Sequence, residues 1–318
     1  MVTTGSSRRL LRTPFSYLDG KIGFGRGALR AAAASAVLAS IAIIVGGGVV
    51  RVTGSGLGCP DWPTCANGAL SPTPEMGLHA VVEFVNRLLT GVICVVVGAL
   101  IVVARFQREP WPQVTRLAWV QFWIVVLNAV VGGLTVLARL NPYMVAAHFL
   151  AATLLLAGAA ATWDALDRRH DAIRPTAVGT PTQRQLVWVL LTTTAALMIV
   201  GTAVTGAGPH AGDSSDVQRM PFDWATATWL HAVLASAVTI AAASIWKSSS
   251  PGTDLRRRTA WVLLALTAQM GVGITQSATR LPNSLVIVHM LVAALVFIGA
   301  IRVFLEISPY YRLRSTET

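Results

Sequence analysis

The chain has 318 residues, 54% of them hydrophobic and only 12% charged, with a formal net charge of +11. Soluble globular domains carry about a quarter charged residues, so this composition excludes one. The positive charge invites a nucleic-acid partner, but most Lys and Arg cluster between apolar runs, as in membrane proteins, and no nucleic-acid partner is expected.

In chain order, residues 1–28 are basic and polar (Arg8, Arg9, Arg12, Lys21) and read as a cytoplasmic N-terminal arm. Eight apolar runs follow, near 29–50, 78–104, 117–138, 143–163, 185–206, 225–246, 259–278 and 284–305. A helix needs about 20 residues to cross hydrocarbon. These runs are too long for barrel strands, and only helices or closed barrels satisfy their backbone in lipid. The first run is long and lacks a small-residue cleavage site, so it reads as a retained helix rather than a signal peptide. Basic residues fall in the loops after the second, fourth and sixth runs and in the tail, including Arg168, Arg169, Arg256, Arg257, Arg258, Arg312 and Arg314. By the positive-inside rule both termini are cytoplasmic. The expectation is an all-α integral protein of the cell membrane, surrounded by lipid, with eight transmembrane helices.

The runs repeat. Val52-Thr53-Gly54-Ser55-Gly56 recurs as Val204-Thr205-Gly206-Ala207-Gly208, and at the same offset Leu78-His79-Ala80-Val81 recurs as Leu230-His231-Ala232-Val233. The loop Leu137-Ala138-Arg139-Leu140-Asn141-Pro142 corresponds to Ala278-Thr279-Arg280-Leu281-Pro282-Asn283. The chain therefore divides into two pseudo-symmetric four-helix bundles, 29–163 and 185–305. A charged cytoplasmic linker, 164–184, joins them, and a tail, 306–318, follows. Parallel repeats of this kind place binding sites within or between their halves.

The loop 51–76 faces outward in this topology and carries Cys59 and Cys65. In an oxidising compartment a disulfide is expected, rather than a metal site, because no second cysteine pair or histidine cluster completes a zinc set. Cys94 lies mid-helix and reads as a buried, small apolar residue.

Four histidines, His79, His148, His231 and His289, sit near the outer starts of helices two, four, six and eight. Ionisable residues inside membrane helices are rare and usually functional. Two imidazoles on facing helices at one depth can hold one haem iron, so one pair per half predicts two haem-sized ligands and haem iron as the metal. His170 in the linker and His210 in the fifth loop read as solvated. Glu83 lies four residues after His79 on the same helix face, with Arg87 one turn further. The pair either stabilises its helix or sets a carboxylate beside a haem edge to handle protons or a developing cation, and the second reading is favoured.

The segments Gly54-Ser55-Gly56-Leu57-Gly58-Cys59-Pro60-Asp61-Trp62-Pro63-Thr64-Cys65, Glu83-Phe84-Val85-Asn86-Arg87 and Thr205-Gly206-Ala207-Gly208-Pro209-His210-Ala211-Gly212-Asp213 resemble motifs of the haem A synthases, over about residues 30–305. The resemblance implies an oxidoreductase that oxidises the C8 methyl of haem O to a formyl group by successive hydroxylations, for terminal oxidase maturation. It implies a haem b held by His231 and His289 in the C-terminal half, and substrate haem O in the N-terminal half on His148 and a ligand from helix two. It further implies a catalytic Glu83, a Cys59–Cys65 disulfide, an unidentified electron donor and a possible partnership with haem O synthase. The family commonly has histidine where this chain has Asn86, so His79 is the candidate replacement, or His148 serves alone. Two rivals share the histidine pattern: a dihaem b-type electron-transfer protein such as a quinol oxidoreductase, and a haem-handling transporter or assembly factor.

Overall fold

The computed structural model describes residues 23–170, 179–210 and 212–307. The expectations for most of the N-terminal arm, for part of the linker with the side chain of His170, and for nearly all of the tail fall outside these residues. The described residues form eight α-helices, which we number α1 (Arg26–Val52), α2 (Gly77–Arg105), α3 (Pro112–Leu137), α4 (Pro142–His170), α5 (Pro181–Ala207), α6 (Trp224–Ser248), α7 (Asp254–Ala278) and α8 (Asn283–Ile307). A 3₁₀ turn, Pro74–Met76, leads into α2. Among the described residues there are isolated β-bridges but no strand.

Local chemistry sets the helix starts. Thr180 and Gln183 form a capping box at α5, where the Thr180 hydroxyl accepts from the Gln183 amide and Gln183 Oε1 from the Thr180 amide. Asp223 caps α6 through the Thr226 amide at 2.7 Å. This bond, made to the ionised form, holds the Asp223 carboxyl below its ordinary pKa. The two corresponding loops at the far ends of α3 and α7 share one backbone solution. Arg139 and Leu140 have φ of 50° and 56°, and Arg280 and Leu281 have 62° and 58°. In each, the leucine amide bonds back across the helix end, Leu140 to the Thr135 carbonyl and Leu281 to that of Gln276.

Among the described residues, seven helices are long and apolar enough to cross a membrane, which makes this a multi-pass membrane protein. α7 falls outside that set, because Gln269 and Gln276 interrupt its apolar run. Large apolar side chains such as Trp123, Trp229, Trp261 and Ile274 point outward, while Ala33, Ala36, Ala118, Ala159, Ala242 and Ala300 are buried. Small residues inside and large ones outside suit helices that pack closely in lipid. Cys94 is also exposed, a correction to its expected burial: it lies on the outward side of α2.

Within the first four helices α1 packs on α2, α2 on α3, α3 on α4 and α4 on α1; the last four pack in the same order. Between the sets, α8 meets α1 and α4, and α4 meets α5. Two polar clasps join them. At one end, which we call the loop end, the Gly56 amide donates to the Gly212 carbonyl at 2.8 Å and the Leu57 amide to Asp213 at 2.8 Å. The Ser214 amide donates to the Gly54 carbonyl. Gly54 adopts φ +64°, and a Cβ on Gly56 would lie 2.6 Å from the Gly212 carbonyl, so both glycines are required for this approach.

At the opposite end, Asp164 on α4 is fully buried and pairs with Arg258 of α7 and, at 3.5 Å, with Arg302 of α8. Arg302 also reaches Asp167 at 2.5 Å, Arg30 of α1 reaches Asp167 at 3.3 Å, and Arg258 reaches Glu306 at 3.2 Å. This network explains why α4 continues through the charged segment expected as linker. Removing one partner of a buried ion pair strands the other. An Asp164→Ala protein should therefore lose about 3–5 kcal/mol of stability, read as a lowered thermal unfolding midpoint in detergent.

Candidate functional site

The loop between α1 and α2 is closed by a Cys59–Cys65 disulfide. Glu83, two turns into α2 and only 4% exposed, lies directly beneath it. Its Oε2 accepts from the Cys59 amide at 2.6 Å, and its Oε1 accepts from Arg87 Nε at 3.1 Å and Nη2 at 2.6 Å. Arg87 spends its remaining donors on the loop backbone: Nη1 to the Asp61 and Thr64 carbonyls, Nη2 to that of Cys59. The planar guanidinium thus holds three carbonyls that point inward around the loop. Neither sequence reading of the Glu83–Arg87 pair included this use, in which the pair anchors the disulfide loop to α2. Trp62, at the loop tip, rests on α3 where a Cβ of Gly133 would lie 2.6 Å from its ring.

Three of the four histidines share one setting. His148, His231 and His289 lie six or seven residues after the first residues of α4, α6 and α8, Pro142, Trp224 and Asn283. Each ring packs against a glycine of the preceding helix. A Cβ would come within 2.8 Å of His148 at Gly132, 3.3 Å of His231 at Gly201 and 3.5 Å of His289 at Gly273. In each, Nδ1 is buried without a hydrogen-bond partner; the Leu197 carbonyl lies near that of His231 but outside hydrogen-bond geometry. The rings of His231 and His289 face each other with centroids 6.3 Å apart and a 46° interplanar angle. Behind them, Gln269 of α7 donates to the His289 carbonyl at 3.1 Å.

His79 departs from this pattern. It is exposed in the first turn of α2 and its Nδ1 shares a 3.0 Å hydrogen bond with Ser55, so it does not share the depth expected of all four. The position packed like His231 is Asn86. Its Oδ1 lies 2.8 Å from where a Gly46 Cβ would be, and is buried without a partner. Gly46 stands six residues before Val52, the end of α1, and Gly201 six before Ala207, the end of α5. The Leu-His-Ala-Val repeat and the packing repeat are therefore out of step.

His210 is half-buried, and its Nε2 donates to the Leu281 carbonyl at 3.1 Å, tying the second loop to the α7–α8 turn rather than facing solvent. Trp62 and the glycines behind the rings were missed in the sequence. A signal existed for two of them, since Gly132 and Gly273 stand equally far before His148 and His289.

The loop clasp makes a direct prediction. Hydrogen bonds to a charged donor contribute about 1.5–3 kcal/mol each. Replacing Arg87 by Ala should free the loop and raise the rate at which dithiothreitol reduces Cys59–Cys65 by roughly tenfold or more, at unchanged helix content by circular dichroism.

Residues 31–301 match the COX15-CtaA family model, described as cytochrome oxidase assembly protein. Among curated proteins, the chain is similar to a "Heme A synthase" of Lysinibacillus sphaericus, 33% identical over 150 residues, covering 44% of this chain and 46% of that protein. A "Heme A synthase" of Bacillus pumilus is 29% identical over 203 residues, 61% of this chain and 63% of that one. One of Listeria welshimeri is 29% identical over 114 residues, 36% of this chain and 37% of the relative. The chain thus spans 46% and 63% of the first two relatives. With the family model matched along nearly the whole chain, the protein belongs to the COX15-CtaA family of cytochrome oxidase assembly proteins.

Proposed function

We propose that this protein is a haem A synthase, an oxidoreductase that converts haem O to haem A by oxidising the C8 methyl of the ring to a formyl group through successive hydroxylations, for terminal oxidase maturation. The single observation that carries the reading is the facing pair His231 and His289. An imidazole nitrogen bonds a first-row metal at about 2 Å, so two rings on opposite sides of one iron have centroids about 6 Å apart. The observed 6.3 Å fits a haem iron between them. The glycines behind the rings also fit, because each leaves room to seat an imidazole between neighbouring helices.

In this reading His231 and His289 hold a resident haem b in a C-terminal half, 185–305, and the substrate haem O binds in an N-terminal half, 29–163, on His148. When bound, haem b supplies one-electron transfer at a potential set by its two imidazole ligands. Gln269 steadies the backbone beneath His289. Trp62 and the disulfide loop cover α3 beside Gly132 and His148 and limit water there. Glu83 and Arg87 fix that cover. For Glu83 the anchoring role has support from every one of its hydrogen bonds, while a proton-handling catalytic role rests on the family resemblance. Glu83→Gln separates the two, since it can keep the bond from the Cys59 amide and removes the titratable group.

The same reading sets eight crossings in two pseudo-symmetric bundles with both termini cytoplasmic. α7 qualifies as the eighth because Gln269 bonds inward and the Oε1 atoms of Gln269 and Gln276 are buried rather than turned to lipid. Arg26, Arg30, Arg105, Arg108, Arg184, Lys247, Arg256 and Arg302 gather at the end opposite the loop, which is the cytoplasmic end by the positive-inside rule. An electron donor, membrane lipid and haem O synthase complete the partners.

Extraction and chromatography of the haems bound to the purified protein, produced where haem O is made, test the reading. Haem b together with haem O, hydroxylated haem or haem A is expected, and His231→Ala or His289→Ala should reduce bound haem b at least tenfold. Two haems b per chain without any haem O derivative would overturn it in favour of a dihaem electron-transfer protein.

A further inference from the structure

Four histidines in a duplicated scaffold suggest two equivalent bis-histidine sites, and the packing contradicts that equivalence. His231 occupies its place because Gly201, six residues from the end of α5, leaves room for a ring on α6. The same place in the first helix pair, beside Gly46 on α1, is taken by Asn86 of α2. His79 stands seven residues earlier on α2, about 10 Å along the helix. It is exposed and bonded to Ser55 of the loop. His148 keeps the setting of His289, with its glycine and its unpartnered Nδ1.

We propose that the substrate haem of the N-terminal half is ligated through its iron by His148 alone, with the Asn86 amide set on the opposite side of the ring as a polar, non-ligating group, so that this side of the iron stays open to a small exogenous ligand. The proposal rests on the haem A synthase reading and goes beyond it by assigning the two halves different iron environments. Three features carry it. An amide oxygen is a far weaker ligand for haem iron than imidazole, and the four standard axial side chains are histidine, cysteine, methionine and tyrosine. Asn86 is also shorter than histidine, so it leaves space where a second ring would reach. Its buried Oδ1 has no partner in the protein, a cost that a ligand carrying a hydrogen-bond donor offsets. The asymmetry has a chemical sense: a bis-histidine iron suits electron relay, whereas a site whose substrate is oxidised needs an open coordination position.

The test uses the full chain, purified with its bound haems, and reads spin state by low-temperature electron paramagnetic resonance and carbon monoxide binding after reduction. The expected result is one low-spin haem, lost in His231→Ala, and one high-spin haem that binds carbon monoxide and is lost in His148→Ala. Asn86→His should convert the second haem to low spin and weaken carbon monoxide binding at least tenfold; Gly46 provides the room that Gly201 gives His231. His79→Ala should leave both signals unchanged. Two low-spin haems in the unmodified protein, one turning high-spin in His79→Ala, would overturn this inference and leave the function standing. Retention of the His231–His289 haem with no haem bound in the N-terminal half would overturn the function and this inference together.

Discussion

An imidazole lodged between two membrane helices needs a gap in the neighbouring helix, and only glycine leaves one without breaking the helix. Gly132, Gly201 and Gly273 leave such gaps for His148, His231 and His289, and Gly46 leaves one that Asn86 fills. In soluble helices a central glycine costs about 1 kcal/mol relative to alanine, but in lipid the close approach it permits offsets that cost. The rest of the interior is arranged around these four contacts. α1 must lie against α2, α5 against α6, α3 against α4 and α7 against α8, and those are the pairs that pack. Once they are set, the outward surface is left to large apolar side chains such as Trp229 and Ile274.

The ion pairs and the bonds between loops lie at the two ends and act there as fasteners. At the loop end the Arg87 guanidinium, held by Glu83, gathers the Asp61, Thr64 and Cys59 carbonyls, and the backbone of 54–57 pairs with 212–214 from the other half. At the opposite end Asp164 and Asp167 meet Arg30, Arg258 and Arg302, bringing α1, α4, α7 and α8 into one network. Buried ion pairs add little net stability over apolar packing, but an unpaired member is costly, so such a network specifies one arrangement of helices. The rings of His148, His231 and His289 lie six or seven residues in from the loop end, between these two fasteners.

Most of the helical layout was legible because membrane helices leave long apolar runs, and all eight expected runs became helices. The Arg139-Leu140 and Arg280-Leu281 correspondence was legible too, and both loops adopt the same left-handed pair. Other features were not legible, for physical reasons. α7 spreads its polarity inward through Gln269 and Gln276, so hydropathy alone understates it. Cys94 looks buried in an apolar run, but a run apolar all round does not say which side faces out. His79 matched His231 in a four-residue repeat, while the loop before α2 is longer than the one before α6 and shifts the packing register so that Asn86 takes the equivalent place.

By itself the sequence determined the helical, membrane-spanning class, the order of the helices and which polar side chains stand in the apolar runs, because hydropathy, spacing and side-chain chemistry are local properties of the chain. Tertiary structure alone decided which of those groups meet. It paired His231 with His289, turned His79 into the loop, and committed Glu83 and Arg87 to the backbone of the disulfide loop. The reason is geometric: a helix repeats every 3.6 residues, so a shift of a few positions in where it begins rotates and raises every side chain it carries.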